Sequence, residues 1–192
     1  MKKEKKIPSL FFIYFATFVN IIGFGMIFPL LPFYAREFQA SELTIGFLAA
    51  SFAIGEFFFA PIWGRLSDRF GRKPIISLAL IGVSFAFLIF AIANSLFWLF
   101  VTRFLQGVFS SGTFTSASAY VADVTSYENR IKGMSKLGAS VAAGFIFGPA
   151  IGGILSSINH QLPFFVASAL AFFNFILVLA FLPESISKKL KS

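Results

Sequence analysis

Residues 43–74 read LTIGFLAASFAIGEFFFAPIWGRLSDRFGRKP, and this stretch divides in two. As far as Trp63 it is apolar except for Glu56; from Gly64 onward it carries Arg65, Asp68, Arg69, Arg72 and Lys73. A helix rises about 1.5 Å per residue, so about 20 apolar residues cross the roughly 30 Å hydrocarbon layer of a bilayer. An apolar run of that length ending on a short basic segment predicts a spanning helix that emerges among lipid headgroups.

The pattern repeats on both sides. Lys2, Lys3, Lys5 and Lys6 precede an uncharged stretch over 7–35, far too long for a signal-peptide core. Further apolar runs cover about 75–93, 96–121, 135–158 and 162–182, with Pro163 near the first turn of the last run and Pro183 stopping it. Together with 7–35 and 43–63 these predict an all-α membrane protein of six transmembrane helices, a single domain over residues 1–192. Asn94 and Ser95 are so short a break that the runs they separate are expected to be antiparallel neighbours.

Composition agrees. Of 192 residues, 57% are apolar and 12% charged, with thirty phenylalanines; soluble domains carry about a quarter charged residues. A soluble fold of this size has too much surface to hide so much apolar area. The absence of cysteine excludes a disulfide framework, thiolate metal sites and cysteine nucleophiles. His160 stands alone in a short loop with no metal or nucleophile constellation, so no enzyme is expected.

The net charge of +8 is spread over short segments between the runs and forms no basic stripe with interleaved aromatics, which argues against a nucleic-acid partner. Lys2 to Lys6, the 64–74 segment, Arg130 with Lys132 and Lys136, and Lys188, Lys189 and Lys191 all fall on one side; Arg36 alone falls on the other. The positive-inside rule then puts both termini in the cytoplasm of a multi-pass protein of the cell membrane, with the bilayer as its first partner. Tyr34, Trp63, Trp98 and Tyr120 lie near span ends and are expected at headgroup level.

Two charges fall inside spans, Glu56 and Arg103, and each requires a partner or a function. Counting from the outer side, Arg103 is roughly 10 Å deep and Glu56 roughly 20 Å, so they are not expected to pair directly. Asn20 falls at nearly the depth of Arg103, and Gln106 shares the helix face of Arg103, so these three are expected to converge. Otherwise Arg103 snorkels to the surface and Asn20 merely bonds between helices. Glu56 is a candidate for carrying a proton or for recognising a cation.

In residues 64–74, Gly64 and Gly71 permit a chain reversal, Asp68 is able to cap a helix and Pro74 suits the first turn of the next one. In the fifth run Gly144, Gly148 and Gly152 recur every four residues, a face that lets another helix approach closely, with Pro149 bending the helix and Gly153 beside it.

These segments resemble the major facilitator superfamily at four places in order. Residues 64–74 look like its motif A, Arg103-Phe104-Leu105-Gln106-Gly107 like motif B, and the glycine-rich residues 144–153 like the motif C of antiporters. Residues 23–32 resemble the first span of its drug:proton antiporters, including the tetracycline-efflux type. Ser135 stands where the longer motif C has another glycine, Asn20 where many related antiporters carry an acid, and Glu56 where many have an uncharged polar residue.

The resemblance implies half of the major facilitator fold, an inverted three-plus-three helix repeat. It also implies a proton-coupled exporter of small hydrophobic or cationic molecules, driven by the proton gradient with no bound cofactor. Arg103, Glu56, Asn20 and Gln106 would then serve substrate or proton coupling. A cytoplasmic gate would comprise Gly64, Asp68, Arg69, Gly71 and Arg72, with Asp68 against helix ends of the opposite half and Arg72 paired to Asp123. The motif C glycines would pack between halves and otherwise face lipid. Transport would need a second six-helix half, as a homodimer or a separate chain, unless the sequence is a truncated one; residues 182–185 look like the start of a linker toward that half. The alternative is a regulatory or truncated six-span protein with no transport of its own.

Overall fold

The computed structural model describes residues 8–185. Lys2, Lys3, Lys5, Lys6 and Lys188, Lys189, Lys191 lie outside them. The described residues form seven α-helices: α1 (Pro8–Ile27), α2 (Leu31–Glu37), α3 (Glu42–Phe70), α4 (Arg72–Ala91), α5 (Leu96–Val124), α6 (Arg130–Ile158) and α7 (Leu162–Phe181), with one turn of 3-10 helix at Tyr127–Asn129.

The boundaries differ from the apolar runs in ways the residues explain. The first run does not make one span: α1 stops at Ile27, because Pro29 disfavours helical geometry at Phe28, and the short α2 restarts with Pro32 in its first turn. The second helix does not stop at Trp63 but continues to Phe70, so Gly64 is helical and takes no part in a chain reversal. The reversal is a single residue, Gly71, at φ +112°, a region that side chains with a Cβ rarely adopt.

Five helices, α1, α3, α4, α6 and α7, are long and apolar enough to cross a membrane, so the expected six are not all distinguished on those criteria. The fourth run is the exception. Its helix α5 has 29 residues, but Thr102, Arg103, Gln106, Ser111, Thr113 and Ser116 are buried along it.

Packing follows a fixed order: α3 on α5, α5 on α4, α4 on α7, α7 on α1, and α1 on α6. Exchanging α1 with α5, α3 with α6 and α4 with α7 leaves that order unchanged, as two copies of one three-helix unit would. Two apolar clusters fill the centre: Met26, Phe87, Phe90, Leu99 and Phe164 toward one end, Ile13, Leu80, Val121, Leu137 and Val178 toward the other. At the pivot of this arrangement Ser84 and Ser168 each donate to the other's backbone carbonyl, at 2.9 and 2.8 Å, tying α4 to α7. The outermost helices α3 and α6 bury little of their surface and expose Phe47, Phe57, Phe58, Ile146 and Ile154.

Three of the four aromatics expected at headgroup level are in the bundle instead. Tyr34 and Tyr120 are buried, and the indole of Trp63 donates to the carbonyl of Val108 at 2.6 Å; Trp98 is exposed. A ring near a span end turns inward when a neighbouring helix offers an apolar slot and an acceptor.

Candidate functional site

A cavity of about 290 Å³ opens between α1, α3, α5 and α6. Its aromatic wall is Phe24, Phe52, Phe114 and Phe145; its polar groups are Thr17, Asn20, Glu56, Ser110 and Thr113. Each helix delivers these at helical spacing: 17, 20 and 24 on α1, 52 and 56 on α3, 110, 113 and 114 on α5. Among the described residues, Glu56 is the only ionisable one on the wall.

Arg103 lies behind two of these rings. It is 1% exposed, with its guanidinium carbon 4.9 Å from the Phe52 ring centre and 5.7 Å from that of Phe24. Stacking of this kind offsets part of the cost of burying a cation. Arg103 Nη1 donates to Gln106 Oε1 at 2.9 Å, so two of the three groups expected to converge do so. Asn20 is brought to the cavity with Glu56, and no hydrogen bond joins it to Arg103 or Gln106. Arg103 does not snorkel.

Three buried atoms here have no partner among the described residues: Arg103 Nε, Gln106 Nε2 and Asn20 Oδ1. Each such group costs about 1–3 kcal/mol unless something satisfies it. The arrangement has donors and an acceptor in reserve beside an aromatic, singly acidic cavity.

A second cluster forms where α3 turns into α4. Arg72 Nη1 meets Asp68 Oδ1 at 2.6 Å and Ser67 Oγ at 3.1 Å, and Arg72 Nε meets Asp123 Oδ2 at 2.9 Å. Asp123 sits in the last turn of α5, within the helix and not beyond it. Asp68 does not cap a helix. The first N–H of α4, that of Arg72, donates to Glu184 Oε1 at 3.0 Å, and the same carboxylate occupies the space that a Cβ on Gly71 would need. Ser185 Oγ donates to Asp123 at 3.0 Å, so residues 184–185 are folded onto the cluster and not simply leading away from it. Arg69 stands apart, with its guanidinium 5.4 Å from the Phe70 ring centre.

The glycine face of α6 does not look outward to lipid or to another half. A Cβ on Gly144 would meet Ile21 of α1 at 2.7 Å, one on Gly148 would meet Gly25 at 2.8 Å, and one on Gly152 would meet the Met26 carbonyl at 2.7 Å. All three face α1 of the same chain, and Gly25 gives α1 the clearance. Gly153 is off this seam, with nothing within 4 Å.

A family model described as Major Facilitator Superfamily matches residues 13–192. The chain belongs to that superfamily. The tetracycline resistance protein, class B, of Escherichia coli is 40% identical over 172 residues, 88% of this chain and 43% of that protein. Multidrug resistance protein 1 of Bacillus subtilis (strain 168) is 35% identical over 181 residues, 94% of this chain and 46% of that protein. The chain thus spans about half the length of the curated relatives it matches. In fold it resembles the crystal structure of the human organic anion transporter MFSD10, with a TM-score of 0.85 at 23% identity over 98% of this chain and 50% of that one.

Membership in the superfamily accounts for the resemblances over 64–74, 103–107 and 144–153. Spacing did not point to Glu184 or Ser185 in the Arg72 cluster, or to Thr17, Ser110 and Thr113 in the cavity; Ser67 lies within the 64–74 segment but was not singled out there. For the cavity a signal existed: each lies at helical spacing from a residue already singled out. For Glu184 there was none, since its partner is 112 positions away.

Proposed function

We propose that the chain forms one six-helix half of a secondary active transporter that exports small hydrophobic or cationic compounds. In this reading α5 crosses the membrane as the fourth of six spans, its polar residues turned into the bundle, and both termini lie in the cytoplasm at the cell membrane. The second half is a further copy or a separate segment, and the two halves rock about the cavity in alternating access. The proton gradient supplies the energy, with no bound cofactor.

The single observation behind this is the cavity. A carboxylate alone among four aromatic rings attracts either a proton or an apolar cation, and the competition between the two is a coupling mechanism that needs no further group. Asn20 supplies a polar contact for the compound or for water from the cavity wall. The Arg72–Asp68–Asp123 cluster supports the gate role: Asp68 is largely exposed and available to an opposing helix end, while Arg72 holds α3, α4 and α5 together behind it.

The test is flux in proteoliposomes under an imposed pH gradient, read with ethidium, for the chain alone and for the chain with a second six-helix half. Gradient-dependent flux with the second half present, lowered tenfold or more in Glu56→Gln, is the expected result. Flux that ignores Glu56→Gln at every pH removes the coupling role. No flux with any second half leaves the regulatory, non-transporting reading in its place.

A further inference from the structure

A second opening lies between α1 and α6, a groove of about 340 Å³ on a different face of both helices from the one lining the Glu56 cavity. Phe11, Phe15 and Phe18 of α1 form one wall, and Ala139, Ser140 and Ala143 of α6 form the other. The small side chains make the space and the rings make it apolar.

The groove has a basic mouth. Lys132, Lys136 and Ser140 follow one another at four-residue steps, so the lysines continue the groove-facing side of α6 toward its N-terminus. Both are exposed, and neither enters an ion pair among the described residues. Tyr14 also lines the groove. An apolar slot with two ammonium groups at its mouth is complementary to a molecule with an acyl chain at one end and a phosphate at the other.

We propose that this groove binds a phospholipid with an anionic headgroup, its acyl chain against the α1 phenylalanines and its phosphate held by Lys132 and Lys136. The site rests on the chain spanning a bilayer, as proposed above, and is independent of transport. Lipid bound there lies across the α1–α6 seam and fixes α6 against α1.

Native mass spectrometry of the purified full chain, released from nanodiscs holding equal amounts of phosphatidylglycerol and phosphatidylcholine, tests it. The expected result is preferential retention of phosphatidylglycerol, roughly fivefold for each lysine engaged. The preference should vanish in Lys132→Gln/Lys136→Gln and in Ala139→Phe, which fills the groove with the charges intact. It should persist in Arg65→Gln/Lys73→Gln, which removes two bases elsewhere. Equal retention of the two lipids overturns the site, and so does equal loss in both double variants, which would indicate surface charge alone. Disulfide cross-linking of two chains through Ser140→Cys also overturns it, since a protein then fills the groove. A chain stripped from membranes by alkaline carbonate refutes the spanning reading itself; one that stays in the membrane with no anionic preference refutes only the lipid site.

Discussion

Where α3 meets α5, a few glycines carry the contact: a Cβ on Gly55 would lie 2.5 Å from the Phe104 carbonyl, one on Gly107 would land on the Phe52 carbonyl, and one on Gly112 would lie 2.9 Å from the Trp63 ring. Where α6 meets α1, the contact is a ridge, with Gly144, Gly148 and Gly152 along α1 and Gly25 the only glycine opposite. The two seams occupy equivalent places in the packing order, yet they distribute closeness differently. The α3–α5 seam adds a fixed hydrogen bond, Trp63 to Val108, across the interface. No hydrogen bond crosses the α1–α6 seam among those described. The first seam is pinned at points; the second is continuous, so the loss of one point leaves others in contact.

That difference orders the expected effects of substitution, each read as a shift in thermal unfolding of the purified chain. Gly107→Ala should cost most, about 3 kcal/mol, because the methyl meets backbone that has no room to move. Gly148→Ala should cost less, about 1–2 kcal/mol, since α6 is able to tilt on its remaining glycines. Equal losses at the two positions would erase the distinction. Trp63→Phe should cost about 0.6–1 kcal/mol, the usual worth of an interhelical hydrogen bond in a membrane. Gly153→Ala, on the open face of the same helix as Gly148, should stabilise by up to about 1 kcal/mol through helix propensity.

The α6 ridge was legible in the sequence because its glycines are periodic, but its partner was not: spacing shows that a face admits a close neighbour and does not say which. The α3–α5 seam was hidden because its glycines, Gly55 on one helix and Gly107 and Gly112 on the other, form no periodic run. Hydropathy located the long helices and misplaced their ends. It marks where lipid gives way to water, whereas a helix continues as long as its backbone bonds are satisfied, which is why α3 runs on through Arg65, Ser67 and Asp68 to Gly71. Depth counted along separate helices separated Glu56 from Asn20, which share a wall. Helices of 29 residues exceed the thickness of the layer, so positions counted from the ends of apolar runs slip by a turn or more.

The proposed transporter half requires one orientation, with the α3–α4 turn and the start of α6 on the cytoplasmic side. The chain has no cysteine, so a single introduced cysteine reports its own location. Intact cells carrying Gln39→Cys or Gln161→Cys should react with a membrane-impermeant maleimide, whereas Glu128→Cys or Lys132→Cys should react only after permeabilisation. Labelling of Glu128→Cys or Lys132→Cys from outside intact cells would contradict the account.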